Sequence, residues 1–590
     1  MPNGEMQLIA YGSQDIYLTG NPSITFFKFV YKKHTNFSNE HIRQDFIKLP
    51  NFNTDNKTKA TCKIDRNGDL INDIYLVYDL PNIYSNPKTV LNDTKLETSN
   101  SNGEYFRWVN NLGENIIHTV EILLDGHVLD RQYGLWMNIW NELTIPKSKR
   151  HAYNMMIGNN SSLTNPSIYN GEYTGTPTEG ANNVPSINAY RLYIPLPFWF
   201  CNNPGLSIPL IALQYNQLTV QVEFNKLNDL ITVGNPPVSP NAIFDSEYLN
   251  SFGNNTYSSE NDIENNNINL RKQLMTAGYS SHNLFWKFIN GTQSNSSTWA
   301  QQTYLEVNFI FLDKDERRKY AQITHEYLIS QVQTSHYIIN NVNENIKGSV
   351  NILNLLLQHP VKELVWVLRR NDCNKRNQWN NYTTSLYSMD FHDSDNNFGD
   401  KFQKQSPVVS YDNTNSYHSN KAIYHNNYLR GTDNGFGGAT ATTKRDSCID
   451  TYFDVNNYYN VNSDSFNYVN NIMYNAKILF NANDRISKKD SNYFNYVQPY
   501  KYHTNTPSPG VNVYSFAIYP EDNQPSGTCN MSRLNKIQLE LALRWLKIKT
   551  GPSCDDLEHN IYEGYEVYVF ATNYNILKIV GGIGGLVFAN

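Results

Sequence analysis

A surplus of basic charge, closely spaced cysteines and apolar runs of membrane length are all missing from this 590-residue chain. Lys and Arg number 48 against 54 Asp and Glu, for a formal net charge of -6. A protein that coats nucleic acid is markedly basic, so direct nucleic-acid binding is not expected. The six cysteines, Cys62, Cys201, Cys373, Cys448, Cys529 and Cys554, form no CxxC pair. That spacing excludes a zinc ribbon and a disulfide-dense scaffold, and fits free thiols in a protein made in a reducing compartment. The start, MPNGEMQLIAYGSQ, lacks the basic residues and apolar run of a signal peptide. The end, ILKIVGGIGGLVFAN, is apolar but too short to span a bilayer and contains Lys578, so a buried final strand is expected there.

Catalytic signatures are equally scarce. His325-Glu326 has no second His at metalloprotease spacing and reads as part of a solvated face. In DSDNNFGDKFQK, Asp393, Asp395 and Asn397 resemble a calcium loop, but the glycine comes late, at Gly399, and Lys404 stands where the closing Glu belongs. The glycines of GGIGG (581–585) have no following helix to present amides to a phosphate, and so point to close backbone packing. No GxSxG elbow occurs. No catalytic, cofactor-binding or metal residue is nominated, and a non-enzymatic role is expected.

What the chain does have is aromatic and amide. There are 42 Tyr and 27 Phe, residues that favour strands, and Asn is about one residue in seven, favouring turns. These proportions predict a large all-β protein with long polar loops. Residues 59–80 read as a hairpin turning at Asn67-Gly68, and 120–130 as another turning at Asp125-Gly126. Leu135, Trp136, Ile139, Trp140 and Leu143 then recur at helical spacing. LTVQVEF (218–224) alternates as a strand and closes a first β unit. An Asn-rich connection over 227–300 leads to a second strand-rich region opening at 303–322. Strand patterns recur at 359–370, 472–480, 511–520, 534–543 and 565–580, interrupted by a polar excursion over about 371–470.

Two basic clusters stand out, Tyr31-Lys32-Lys33-His34 and Lys147-Ser148-Lys149-Arg150-His151. Each is a solvated loop or a contact for an anionic surface such as phospholipid headgroups. Ten glycosylation sequons, at Asn36, Asn56, Asn92, Asn159, Asn160, Asn254, Asn290, Asn295, Asn381 and Asn530, match what random pairing gives in so Asn-rich a chain. The rings of Phe198, Trp199 and Phe200 belong to a core or an interface.

Several ordered blocks carry a family resemblance. They are AYGSQDIYLTGNPSITFFKFVYKKHTNF (10–37), RNGDL (66–70), DRQYGLWMNIWNEL (130–143), PLPFWFCNNPGLSIPLIALQYNQLTVQVEF (195–224), the long block from Asn483 to Leu534, and ATNYNILKIVGGIGGLVFAN (571–590). They resemble the major capsid proteins of nucleocytoplasmic large DNA viruses, and by length and Asn-rich insertions the mimivirus type.

The resemblance implies two tandem eight-stranded antiparallel jelly rolls with long loop insertions and a few short helices. The expected division is an N-terminal arm over 1–25, a first jelly roll over 26–226, the connection over 227–300, and a second jelly roll over 301–590. It further implies homotrimeric, pseudo-hexameric capsomers tiling an icosahedral shell assembled in host cytoplasm. Neighbouring capsomers, minor capsid and penton proteins and the inner virion membrane are the expected partners, with residues 8–29 of the arm near trimer and inter-capsomer contacts. The excursion over 371–470 is expected to face outward. A virion surface or fibre protein that binds glycans through Tyr and Asn loops is the alternative. A jelly-roll carbohydrate enzyme would need two carboxylates at a defined separation, which sequence spacing does not display.

Overall fold

In a computed structural model of the chain, the described residues are 3–53, 56–83, 105–164, 187–234, 302–339, 350–371, 377, 379–383, 471–543 and 564–588, with the short paired segments 87–88, 102–103 and 298–300. The expected outward excursion lies mostly outside them, as do most of the 227–300 connection and the calcium-like loop at 393–404.

The first unit contains β1 (Phe37–Asp45), β2 (Thr58–Lys63), β3 (Leu70–Leu80), β4 (Ile117–Leu124), β5 (His127–Tyr133), β6 (Tyr190–Pro195), β7 (Leu218–Phe224) and β8 (Thr303–Leu312). They pair antiparallel as β1-β8-β3-β6 in one sheet and β2-β7-β4-β5 in the other. The second unit contains β9 (His325–Ile339), β10 (Val350–Leu355), β11 (Pro360–Arg370), β12 (Met473–Phe480), β13 (Asn483–Asp490), β14 (Val511–Ser515), β15 (Ile537–Leu543) and β16 (Tyr565–Val580). Its sheets are β9-β16-β11-β14 and β10-β15-β12-β13, again antiparallel. Adding eight to every strand of the first unit reproduces the second. Each unit is an eight-stranded jelly roll, two four-stranded sheets facing each other across a core.

Side-chain alternation explains most of the packing. In β7, Leu218, Val220, Val222 and Phe224 are buried and the residues between them half-buried, as a strand with one core face requires. In β11 every residue after Pro360 is buried, because a helix of the first unit covers the sheet face that its own core leaves open. That helix is α4 (Gly134–Thr144), which follows α1 (Asn3–Ile9), α2 (Ile16–Thr19) and α3 (Leu112–Ile116) and precedes α5 (Lys147–Met156) and α6 (Lys314–Gln322). Its Trp136, Ile139 and Leu143 join Val365, Val367, Val511, Val513 and Phe570 in a third core between the units.

Four sequence expectations are corrected. Residues 59–80 are not a hairpin: β2 and β3 belong to opposite sheets, and Gly68 lacks a positive φ. Glycine is needed there because a Cβ would stand 2.8 Å from Cβ of Phe309 on β8. The strand at Thr303–Leu312, read as opening the second unit, lies between β1 and β3 in the first, where Leu305, Val307 and Phe309 enter the first core. The stretch after it becomes α6, which Asp313 caps by accepting a bond from Lys314 N at 2.8 Å. Finally, the chain does not end on a buried strand, since β17 (Ile583–Leu586) folds back on β16 with Val587 and Phe588 exposed. The turn at Asp125-Gly126 is as expected, with φ of 49° and 85° joining β4 to β5.

Candidate assembly surfaces

The described residues form a stiff body and leave apolar, sticky surface exposed. Stiffness comes first from the seam between the jelly rolls. Beyond the apolar contacts of α4, Glu142 at its end accepts bonds from Ser508 N at 3.0 Å and Ser508 Oγ at 2.7 Å. Asn505 N donates to the carbonyl of Leu143 at 2.9 Å, and its side-chain amide donates to that of Ile145. Residues 377 and 379–383, early in the long excursion, turn inward. Asn377 Nδ2 donates to Ile231 O at 2.7 Å, Trp379 Nε1 donates to Asp229 O at 2.6 Å, and Tyr382 is buried beside α4. At the far end of the seam, Tyr215 N donates to Gly582 O at 3.1 Å and Gly584 N to Asn216 Oδ1 at 2.9 Å. A Cβ on Gly584 would meet Leu213 at 2.8 Å and Leu124 at 3.0 Å, the close approach expected of the GGIGG glycines.

Several buried charges in the second unit have polar or charged partners. His503 has no solvent-exposed side-chain area and sits 3.0 Å from Glu363 Oε2 and 2.9 Å from Glu521 Oε1, with Trp140 of α4 edge-on to its ring. Burial alone would lower the His503 pKa, but the two carboxylates outweigh it and hold it up to about 9. Bonds from His503 and Thr504 outweigh burial at Glu521 and keep its carboxyl below the usual range. Arg369 pairs with Glu566 at 2.8 Å, and Lys362 Nζ reaches Ser330 Oγ at 3.2 Å and Pro520 O at 3.1 Å.

The sticky surface is the N-terminal arm. It runs from residue 3 to Asn36, well past residue 25, because pairing into the first jelly roll starts only at Phe37. Within residues 4–36 every residue but Asp15 is exposed. The exposed side chains include Met6, Leu8, Ile9, Ile16, Tyr17 and Leu18, apolar surface that stable folds do not leave in water without a partner. A second apolar stripe, Val350, Ile352 and Leu356, points outward from one face of β10 and the residue following it. The edge strand β13 is instead protected by charge, with Arg485, Lys488 and Lys489 along it.

The other residues singled out by sequence fall into place. Phe198, Trp199 and Phe200 are buried in the first core, so they are not interface in the single chain. His325, expected on a solvated face, is instead buried at the start of β9, where its Nε2 lies 2.7 Å from Tyr320 O and its ring stacks on Tyr327, while Glu326 beside it is exposed. Lys147, Lys149 and His151 are exposed on α5, whose Arg150 instead donates to Asn141 O at 2.8 Å. Of the described sequons, Asn36, Asn56 and Asn530 are exposed, Asn159 and Asn160 are half-buried and Asn381 is buried. Sequence reasoning missed Glu114, whose carboxyl, buried beneath α4, accepts bonds from Asn138, Asn141 and Tyr153. Burial pushes its pKa up against the pull of those donors. A lone Glu in LGENI carries no signal of that role.

Comparison with known proteins decides what this architecture belongs to. Residues 25–313 match the family described as major capsid protein N-terminus, and residues 316–585 that of the large eukaryotic DNA virus major capsid protein. The junction between the two matches falls after β8, where the sheet pairing also divides the chain. Along its whole length the chain is 33% identical to the whole major capsid protein of Phaeocystis pouchetii virus. The chain belongs to the major capsid proteins of large eukaryotic DNA viruses. It is also 28% identical, over the whole chain and 99% of the relative, to probable capsid protein 4 of Acanthamoeba polyphaga mimivirus. Among solved structures, PBCV-1 VP54 superposes with a TM-score of 0.58 at 23% identity, covering 96% of this chain and 100% of that one, which establishes the shared double jelly-roll fold. As a major capsid protein it is a structural component of the virion shell, in a family of structural proteins and not of enzymes.

Proposed function

We propose that three copies of the chain form a capsomer of pseudo-hexagonal outline, and that such capsomers tile an icosahedral shell. The observation that carries this reading is the repeated strand order. Two jelly rolls of identical topology, locked by α4 and the 377–383 segment, give each chain two similar lobes, and a threefold axis turns two lobes into six. The exposed apolar side chains of residues 6–18 and the stripe on β10 supply surface for a neighbouring copy to cover. Minor capsid proteins, penton proteins at the vertices and the inner virion membrane are further partners of such a lattice. Assembly in the host cytoplasm suits the free thiols of Cys62, Cys201 and Cys529. The glycan-binding alternative would act through Tyr and Asn loops that lie outside the described residues.

Light scattering on the purified chain tests the proposal. A particle of three times 68.0 kDa is expected at micromolar concentration. A well-folded monomer under those conditions overturns it.

A further inference from the structure

Residues 26–36 belong neither to the arm helices nor to the first jelly roll, and they set lysines among exposed aromatic rings. From Ile16 to Asn39 there is no Asp or Glu, whereas Lys28, Lys32 and Lys33 add three positive charges to a protein of net charge -6. Large side chains alternate with those lysines. Phe26, Phe27 and Phe29 are 89%, 99% and 93% exposed, and Val30 and Tyr31 are exposed beside them. In an extended chain, Phe27, Phe29, Tyr31 and Lys33 fall on one side and Phe26, Lys28, Val30 and Lys32 on the other. Neither side is purely apolar, so docking this segment as a strand on a protein surface would bury ammonium groups with no acid of the segment to pair them. A bilayer surface accepts both kinds of group at once. Aromatic rings settle at the boundary between headgroups and acyl chains, and lysines extend their charge to lipid phosphates. Nucleic acid is a poorer match, because three lysines without an arginine are set among five large apolar groups.

We propose that residues 26–34 are a peripheral anchor for an anionic phospholipid bilayer, with Phe26, Phe27, Phe29 and Tyr31 at the acyl boundary and Lys28, Lys32 and Lys33 at the headgroup phosphates. The inference rests on the shell reading for the presence of a bilayer beneath the capsomer, while the binding itself is a property of the protein in solution. Lysines near an anionic surface each contribute about fivefold in affinity, so the three together contribute about a hundredfold at low salt, less as salt screens them.

The test is flotation of the full chain with vesicles of phosphatidylcholine alone or with about 30% phosphatidylserine, with oligomeric mass read in parallel by light scattering. The wild type is expected to float with phosphatidylserine vesicles and hardly at all with phosphatidylcholine. The triple variant Lys28→Gln, Lys32→Gln, Lys33→Gln should lose about a hundredfold in affinity, and Phe26→Ser, Phe27→Ser, Phe29→Ser should lose binding, both with unchanged mass. Three results would overturn the proposal: no flotation of the wild type, equal binding by the variants, or vesicle binding abolished by competing duplex DNA. Loss of trimer mass in either variant, with vesicle binding retained, would reassign the segment to a neighbouring copy. Because mass and flotation are read separately, failure of the capsomer reading and failure of the anchor are distinguished.

Discussion

Burial strips water from the His503 imidazole, and only the carboxylates of Glu363 and Glu521 keep it charged. Its folded pKa of about 9 exceeds the ordinary value of 6.5, so the stability it contributes is complete below the ordinary value and is lost as pH rises through about 9. His503→Gln should therefore lower the thermal midpoint most at about pH 6, with the gap to wild type narrowing by about pH 10. Calorimetry at fixed protein concentration reads this directly. A gap independent of pH would mean that His503 acts by shape alone. None of this was legible in the sequence. Glu363 stands far before His503 in the chain and Glu521 lies 18 residues after it with β14 between them, so only the fold brings the three together. The aromatic trio at 198–200 could be read only as core or interface, because hydrophobicity does not say which chain covers a ring.

At the scale of elements, regular patterns were readable and pairing was not. β7 and α4 lie where alternation and helical spacing put them, since one-sided burial writes its period into the sequence, and β11, β12, β15 and β16 lie where strand-forming apolar runs put them. The supposed hairpin at 59–80 failed because a turn signal such as Asn67-Gly68 does not reveal whether the chain returns to the same sheet or crosses to the facing one. β8 was assigned to the wrong unit because the connection before it is long, and length hides which sheet recovers the strand. α4 carries a large expected effect of a single substitution. Trp136→Ala should cost about 3–5 kcal/mol, as loss of a fully buried indole does. Amide exchange should rise in β11 and β14, strands of the other unit that α4 covers. If the faster exchange stays within the first unit, α4 is not the clamp described here. The arm is a proposed assembly surface. Deleting residues 1–25 should weaken trimer and lattice formation while leaving the unfolding of the jelly rolls nearly unchanged, because none of these residues is part of either core. Unaltered lattice formation in the deletion would contradict that role.

At the scale of the whole molecule, the identical order of strands in the two units would give the proposed threefold capsomer six similar lobes. The all-β class and the double jelly roll were legible from composition and from ordered family blocks at both ends of the chain. The seam that makes the two units one rigid block was not, because it is built from side chains such as Asn377, Trp379 and Ser508 in polar stretches without periodicity. The central claim is that each chain contributes two equivalent lobes to a trimer. Electron microscopy of the purified protein tests it most directly. Class averages should show threefold particles with six lobes in a hexagonal outline, whereas folded particles with two lobes, or with twofold symmetry, would contradict the account.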